Sequence, residues 1–247
     1  MTLRLLSYNI KHGGAGREAA LTAVIRNTTP DVVVFQEASK PAVIEALATE
    51  TGMTQWGARP GNSLGYMSRI PVTRAEWHKP RVSRHAFLEL VLAGTPWRIF
   101  GVHLSAVHAA WTESRRMFEM RALGAEIRRE QPGPHALVGD FNTLAPGELL
   151  DFRKLPHRLK ALVWMSGGRV RWRTIQAFLD AGYVDVFRRL HPDLVGNSFP
   201  TWDPHVRLDY LFVPASYAAN ALSCEVVAAG PLAEASDHFP LLSVLDV

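Results

Sequence analysis

Eight polar residues of this chain recur at or just past the ends of strand-like runs: Asn9 after LRLLSY, Glu37 after VVVFQ, His103 in GVHL, Asp140 and Asn142 in LVGDFNT, Asp209 in RLDY, and Asp237 with His238 in ASDHFP. Strand packing does not ask for such groups, but chemistry does. A carboxylate that stops a nearly continuous apolar strand, as Glu37 does, is a candidate ligand for a hard cation. Asp140 and Asn142 lie two apart, so an extended backbone points both to one face, where one receives a proton and the other donates a hydrogen bond. Asp237 and His238 address different partners unless the turn at Pro240 bends them together. Each segment alone also reads as a strand terminus, an Asx turn or a structural histidine. Their repetition is what points to a catalytic site built from several strand ends and the loops that follow them.

The donor set is oxygen and imidazole. A single cysteine, Cys224, excludes an intramolecular disulfide and a multi-cysteine zinc site, and it agrees with a reducing compartment. Carboxylate and amide oxygens without thiolate suit magnesium or manganese.

The elements that must position these groups follow from periodicity. Strand patterns occupy residues 3–10, 31–38, 85–94 and 97–104, with later strands in HALVGDF, VRLDYLFV and PLLSVL. Helical spacing covers 17–27, a Pro-initiated stretch from 41 to 49, a longer helix from 111 to 129, and a helix near 172–181 ending at Gly182. Some strands are separated by helices and others follow through short turns. Two mixed sheets packed face to face, with helices outside, satisfy both patterns. No linker-like composition shift or solenoid repeat divides the chain, so one domain over residues 1–247 is expected.

Of the 247 residues 47% are hydrophobic and 20% charged, the composition of an ordinary globular protein. The longest apolar runs fall far short of the roughly 18 residues that a membrane span needs, so no membrane span is expected. The chain enters its first strand directly after Met1, without the order of an export signal, and a cytoplasmic location is expected. Net charge is +4, carried mostly by arginine, which makes polyanions plausible partners. No obligate protein partner is inferred.

The segments YNI, FQEA, GVHL, GDFN, RLDY and SDHFP occur in the order seen in the endonuclease/exonuclease/phosphatase family, across residues 7–241, and GNSLGYMSRIP resembles a further family segment. The resemblance implies a four-layer α/β/β/α sandwich of two mixed, largely antiparallel sheets, with the site at one edge of the paired sheets and a magnesium or manganese ion. It also implies roles. Glu37 binds the metal, with Asn9 and Asp237 holding it or its waters; Asp140 and Asn142 position or deprotonate the attacking water. His103 and His238 face the phosphate, and Asp209 hydrogen-bonds His238 and favours its protonated form.

Departures narrow the substrate. Members that cut DNA at abasic sites commonly carry Asp where this chain has Lys11, and His103 resembles the DNase-like, sphingomyelinase-like and inositol-phosphatase-like branches instead. Asn62 falls near the residue that supports the first histidine in DNase-like members, and Arg207 is a candidate phosphate contact. Residues 153–173 hold seven Lys or Arg and no Asp or Glu, with Trp164 and Trp172 interleaved. This basic insert, Arg169, Arg171 and Arg173 included, suits a nucleic-acid backbone and unstacked bases, although a solvated helix with core tryptophans fits it as well. The expected activity is metal-dependent phosphodiester hydrolysis on DNA or RNA. The alternative is a phosphatase or phosphodiesterase acting on a small-molecule or lipid phosphoester.

Overall fold

The computed structural model describes residues 1–81, 83–106, 110–129, 133–148, 151–154, 160, 172–230 and 232–247. The first half of the chain runs β1 (Thr2–Asn9), α1 (Glu18–Thr28), β2 (Val32–Gln36), α2 (Pro41–Thr51), β3 (Gln55–Ala58), β4 (Gly65–Ser68), β5 (Val72–His78), β6 (Phe87–Leu92) and β7 (Arg98–His103). The second half runs α3 (Ala110–Arg129), β8 (His135–Asp140), α4 (Arg173–Asp180), β9 (Tyr183–Asp185), α5 (Val186–Leu190), β10 (Asp209–Pro214), β11 (Ala221–Val226), α6 (Leu232–Ala235) and β12 (Leu241–Asp246). Each predicted strand and helix is present, with ends shifted by a few residues. The short or half-polar elements β3, β4, β5, β9, β11, α5 and α6 are not legible as periodic runs. No helix of the described residues is long and apolar enough to cross a membrane.

Two six-stranded sheets form, in the orders β11-β12-β1-β2-β4-β3 and β5-β6-β7-β8-β10-β9. The pairs β1·β2 and β7·β8 are parallel and the other described pairs antiparallel, so both sheets are mixed and largely antiparallel as expected. Alternation of side chains sorts the apolar residues into layers. Leu3 and Leu5 of β1, Val32 and Val34 of β2, Ile99 of β7, Ala136 and Val138 of β8, and Leu211 of β10 meet between the sheets. The intervening residues Leu6, Tyr8, Val33 and Phe35 pack on α1 and α2, while Phe100, Val102, Leu137, Tyr210 and Phe212 pack on α3 and α4.

This parity explains where the chemistry sits. Asn9, His103, Asp140 and Asp209 continue the inter-sheet register of β1, β7, β8 and β10, so the apolar core gives way to polar groups at one end of the sandwich. The register puts His103 beside Asp140 and Asp140 beside Asp209. Gly139, one residue before, has φ +148, and a Cβ there would lie 1.9 Å from the Val102 carbonyl oxygen. Only glycine lets β8 approach β7 this closely.

Candidate active site

Asp140 is the centre of the strand-end cluster. It is buried, and its Oδ1 accepts the Asn142 backbone N–H at 2.9 Å. Its Oδ2 accepts the side-chain amides of Asn9 and Asn142, each at 3.1 Å. The Nε2 atoms of His103 and His238 stand 3.8 and 3.9 Å from the same oxygen. Polar tips from several strand ends thus converge on one carboxylate, as the order of motifs implied. Asn142 is anchored further by a hydrogen bond from Nδ2 to the Leu104 carbonyl, at 3.0 Å.

The two histidines are held in opposite electrostatic states. His238 Nδ1 and Asp209 Oδ2 are 2.9 Å apart, and both groups are buried. Burial opposes the imidazolium, but the charge and hydrogen bond of Asp209, with Asp140 and Asp237 behind it, push the His238 pKa up to about 9. For His103, burial dominates, and the neighbouring His85, His238 and Arg84 act in the same direction, so its ring is driven well below the usual range and is neutral. Asp140 is raised, foremost by burial; the His238 charge counters this and Asp209 adds to it. The Oδ1 atom of Asp209 is buried without a hydrogen-bond partner, the kind of group that a substrate-bound water or proton donor satisfies.

Glu37 stands at the rim, its side chain 30% exposed. Its Oε1 accepts from Asn9 Nδ2 at 3.4 Å and its Oε2 from the His12 backbone N–H at 2.5 Å. Asn9 turns Nδ2 towards both carboxylates while its Oδ1 accepts the Lys11 N–H at 3.0 Å, so the oxygens of Glu37 and Asp140, free of sulfur, are the groups here whose chemistry fits a hard divalent cation. Asp237 is partly engaged elsewhere: its Oδ2 lies 3.2 Å from the Lys11 ammonium. Lys11, His12, Glu37 and Asn142 all have positive φ. For non-glycine residues this is an uncommon backbone state, which a surrounding structure holds in place chiefly at functional sites.

Among the described residues, the one group of three His, Cys, Asp or Glu side chains with ligand atoms within 4.8 Å of one another is Glu76, His78 and Glu89. Glu89 is already neutralised there, by Arg74 at 2.6 Å and His78 at 2.9 Å, so the group is satisfied as an ion-pair cluster. It belongs to β5 and β6 and shares no hydrogen bond with the Asp140 cluster among the described residues.

Two sequence expectations change, and one left open is decided for Trp172. The group that supports His103 is Ser63, one residue beyond the expected Asn62: its Oγ is hydrogen-bonded to His103 Nδ1 and also accepts the Glu37 backbone N–H at 3.1 Å. Arg207 is 1% exposed and is fully engaged by carboxylates, two bonds to Asp185 at 3.0 and 2.6 Å and one to Glu148 at 2.7 Å. Its guanidinium therefore serves the fold rather than a phosphate. Trp172 packs against the buried cluster of Leu144, Val206 and Leu208, as a core tryptophan would. Arg173 opens α4 and lines a groove between α3 and α4 with Phe118 and Arg121, whereas Arg169, Arg171 and Trp164 lie outside the described residues.

A model of the endonuclease/exonuclease/phosphatase family matches residues 6–238. No curated protein matches the chain. Among solved structures, it is similar to an AP endonuclease from Archaeoglobus fulgidus, with a TM-score of 0.76 and 17% identity over 99% of this chain and 100% of the other. It is also similar to the 3' phosphatase NExo from Neisseria, in a point-mutant form bound to product DNA hairpin, with a TM-score of 0.74 and 18% identity over 99% and 100% of the two chains. A humanized D. rerio TDP2 gives 0.67 and 18%, over 100% and 99%. At such identities the structures establish a shared fold, and the family match establishes membership: the chain belongs to the endonuclease/exonuclease/phosphatase family of phosphoester hydrolases.

Proposed function

We propose that this chain is a magnesium- or manganese-dependent hydrolase that cuts nucleic-acid phosphodiesters, acting as one catalytic domain. The observation that carries the reading is the convergence of Asn9, Asn142, His103 and His238 on the Asp140 carboxylate. Family enzymes generally use divalent metals, and Glu37 would hold the ion, with Asn9 and Asp237 assisting through bound waters. When bound, the cation supplies charge neutralisation at the phosphate and at the water that attacks it. Asp140, its pKa raised, accepts the proton of that water, and Asn142 fixes the orientation of the carboxylate. His238, kept protonated by Asp209, offsets the charge that grows on the phosphate oxygens, and the neutral His103 faces them as a hydrogen-bond donor.

Nucleic acid is favoured as substrate by the way the basic insert is tethered. Lys154, near one end, pairs with Asp203 at 2.6 Å, and Trp172, at the other, packs on the cluster that includes Val206. Both anchors are on one loop. That loop is stitched to the site, since the Thr201 N–H donates to the Asp237 carbonyl at 2.9 Å and the Phe199 ring lies 4.8 Å from the His238 ring. Lys154 and Trp172, the described residues that flank the segment, thus both meet the loop next to His238, and the positive charge of the sequence between them is suited to guide a polyanion.

The test is a substrate panel at fixed magnesium: supercoiled plasmid, linear single- and double-stranded DNA, RNA, a generic aryl phosphodiester and a phosphomonoester. Chelator-sensitive cutting of a nucleic acid supports the reading. Turnover confined to the monoester would move the substrate to the phosphatase class, and full activity in chelator would overturn the metal-dependent hydrolase.

A further inference from the structure

His85 lies just before β6 and belongs to none of the motifs. Its ring is stacked on that of His103, with centroids 4.4 Å apart and planes within 6° of parallel. Burial, assisted by Arg84 and Lys79, pushes its pKa down to about 4, so the stack is between two neutral imidazoles without mutual repulsion. His103 is thus held twice, at Nδ1 by the Ser63 hydroxyl and across its face by His85.

The backbone that carries the stack is itself fixed. Glu119 of α3, fully buried, accepts the Arg84 N–H through Oε1 at 3.0 Å, the Ser105 N–H through Oε2 at 3.1 Å, and the Ser105 hydroxyl through Oε1 at 2.8 Å. One carboxylate therefore ties the residue before His85 to the residue two after His103. Arg116 adds a bond from Nη1 to the Ser105 carbonyl at 2.8 Å. A hydrogen bond at Nδ1 alone leaves an imidazole free to swing about that contact, whereas a flat partner on its face removes that freedom.

We propose that His85 is a positioning residue: by stacking on His103 it fixes the plane of that ring and keeps Nε2 aimed at the point beside Asp140 where the phosphate reacts. The inference rests on the proposed role of His103 at the phosphate. Small displacements of a reacting group cost about 10- to 100-fold in rate, and that is the loss expected in kcat without the stack, with KM little changed.

Five variants of the full chain, His85→Ala, His85→Phe, His85→Gln, His103→Ala and the double alanine variant, would be assayed with magnesium on bis-p-nitrophenyl phosphate, and their melting temperatures recorded. His85→Ala should lose about 10- to 100-fold in kcat. His85→Phe, which restores a flat face without nitrogens, should recover most of it. The double variant should be no slower than His103→Ala, because His85 acts only through that ring. In the NMR spectrum of folded protein, the His103 Cε1 proton should shift in the alanine variant and return towards its native position in the phenylalanine variant. If His85→Ala melts prematurely, the phenylalanine variant and this resonance carry the test. Full turnover by His103→Ala would remove the reading of the site itself, whatever His85 does. Loss in His103→Ala with native kcat in His85→Ala would overturn the positioning role alone. Failure of phenylalanine where His85→Gln succeeds would also overturn it, since His85 would then work through its nitrogens.

Discussion

Asp209 and Asp140 are direct partners across the antiparallel pair β8·β10, and a single imidazole lies between their carboxylates: His238 Nδ1 is 2.9 Å from Asp209, and its Nε2 is 3.9 Å from Asp140. Two adjacent buried carboxylates would repel, and the His238 cation offsets both. Replacing Asp209 with Asn keeps the shape but removes the charge that holds the imidazolium. Turnover should fall about 100-fold or more, the scale of a lost acid-base partner, with the unfolding midpoint little changed. Native kcat in a folded Asp209→Asn protein would show that the pair is structural.

Glu37 should govern the affinity for the ion rather than the fold, because its carboxylate is partly exposed and its main-chain partners lie in loops. Magnesium should raise the melting temperature of the wild type through preferential binding to the folded state. In Glu37→Gln that rise should shrink, and the magnesium needed for half-maximal turnover should increase strongly. Identical magnesium titrations of the two proteins would place the ion elsewhere.

The strand ends were legible because each interrupts a long apolar run, and parity then assigns Asn9, His103, Asp140 and Asp209 to one face. Ser63 and His85 were not, since neither ends a periodic run. Ser63 reaches His103 from the loop between β3 and β4, 40 residues away in sequence. Arg207 was misread for the same reason, its carboxylate partners Asp185 and Glu148 lying 22 and 59 residues distant. Strand β5, VTRAEWH, escaped notice because an edge strand pairs on one side only and tolerates polar residues on both faces.

Gly139 offers a test of the fold that positions the site. A methyl group there would overlap the Val102 carbonyl oxygen at 1.9 Å, and backbone cannot swing aside as a side chain can. Gly139→Ala should force β7 and β8 apart and lower stability by about 4 kcal/mol or more, at the upper end of single substitutions. Urea denaturation would measure this. A midpoint near that of the wild type would mean that the two strands approach less closely than described here.

The ion-pair cluster around His78 should make stability depend on pH in a defined window. The hydrogen bond to Glu89 raises the His78 pKa above its usual 6.5; burial opposes this, and Glu126 and Glu76 reinforce it. Its stabilisation is fully present below 6.5 and is lost as pH rises through the raised folded value. Glu89 behaves inversely. Burial would raise its pKa, but hydrogen bonds from His78 and Arg74 hold it below 4.5, so its contribution is present above 4.5 and lost as pH falls through the lowered value. The cluster is therefore most stabilising between about 4.5 and 6.5. Urea midpoints of wild type and His78→Gln should differ most near pH 5.5 and converge in the alkaline range. A difference that stays constant from pH 5.5 to 9 would show that His78 carries no charge in the folded protein.

The basic insert should supply nucleic-acid affinity while leaving the chemistry intact. Its charge without a carboxylate attracts phosphates over a Debye length of about 10 Å at moderate salt, and its flanking residues Lys154 and Trp172 meet the loop that contacts His238. Changing Arg169, Arg171 and Arg173 together to Gln removes three cations, so fewer counterions are released on binding. Affinity for DNA or RNA should fall and its salt dependence flatten, whereas turnover of a small aryl phosphodiester should persist, because that substrate needs only the Asp140 cluster. Filter binding across a salt series, beside the small-substrate assay, separates the two effects. A triple variant that binds nucleic acid as tightly as the wild type, with an unchanged salt slope, would make the segment structural and leave the small phosphoester as the better substrate.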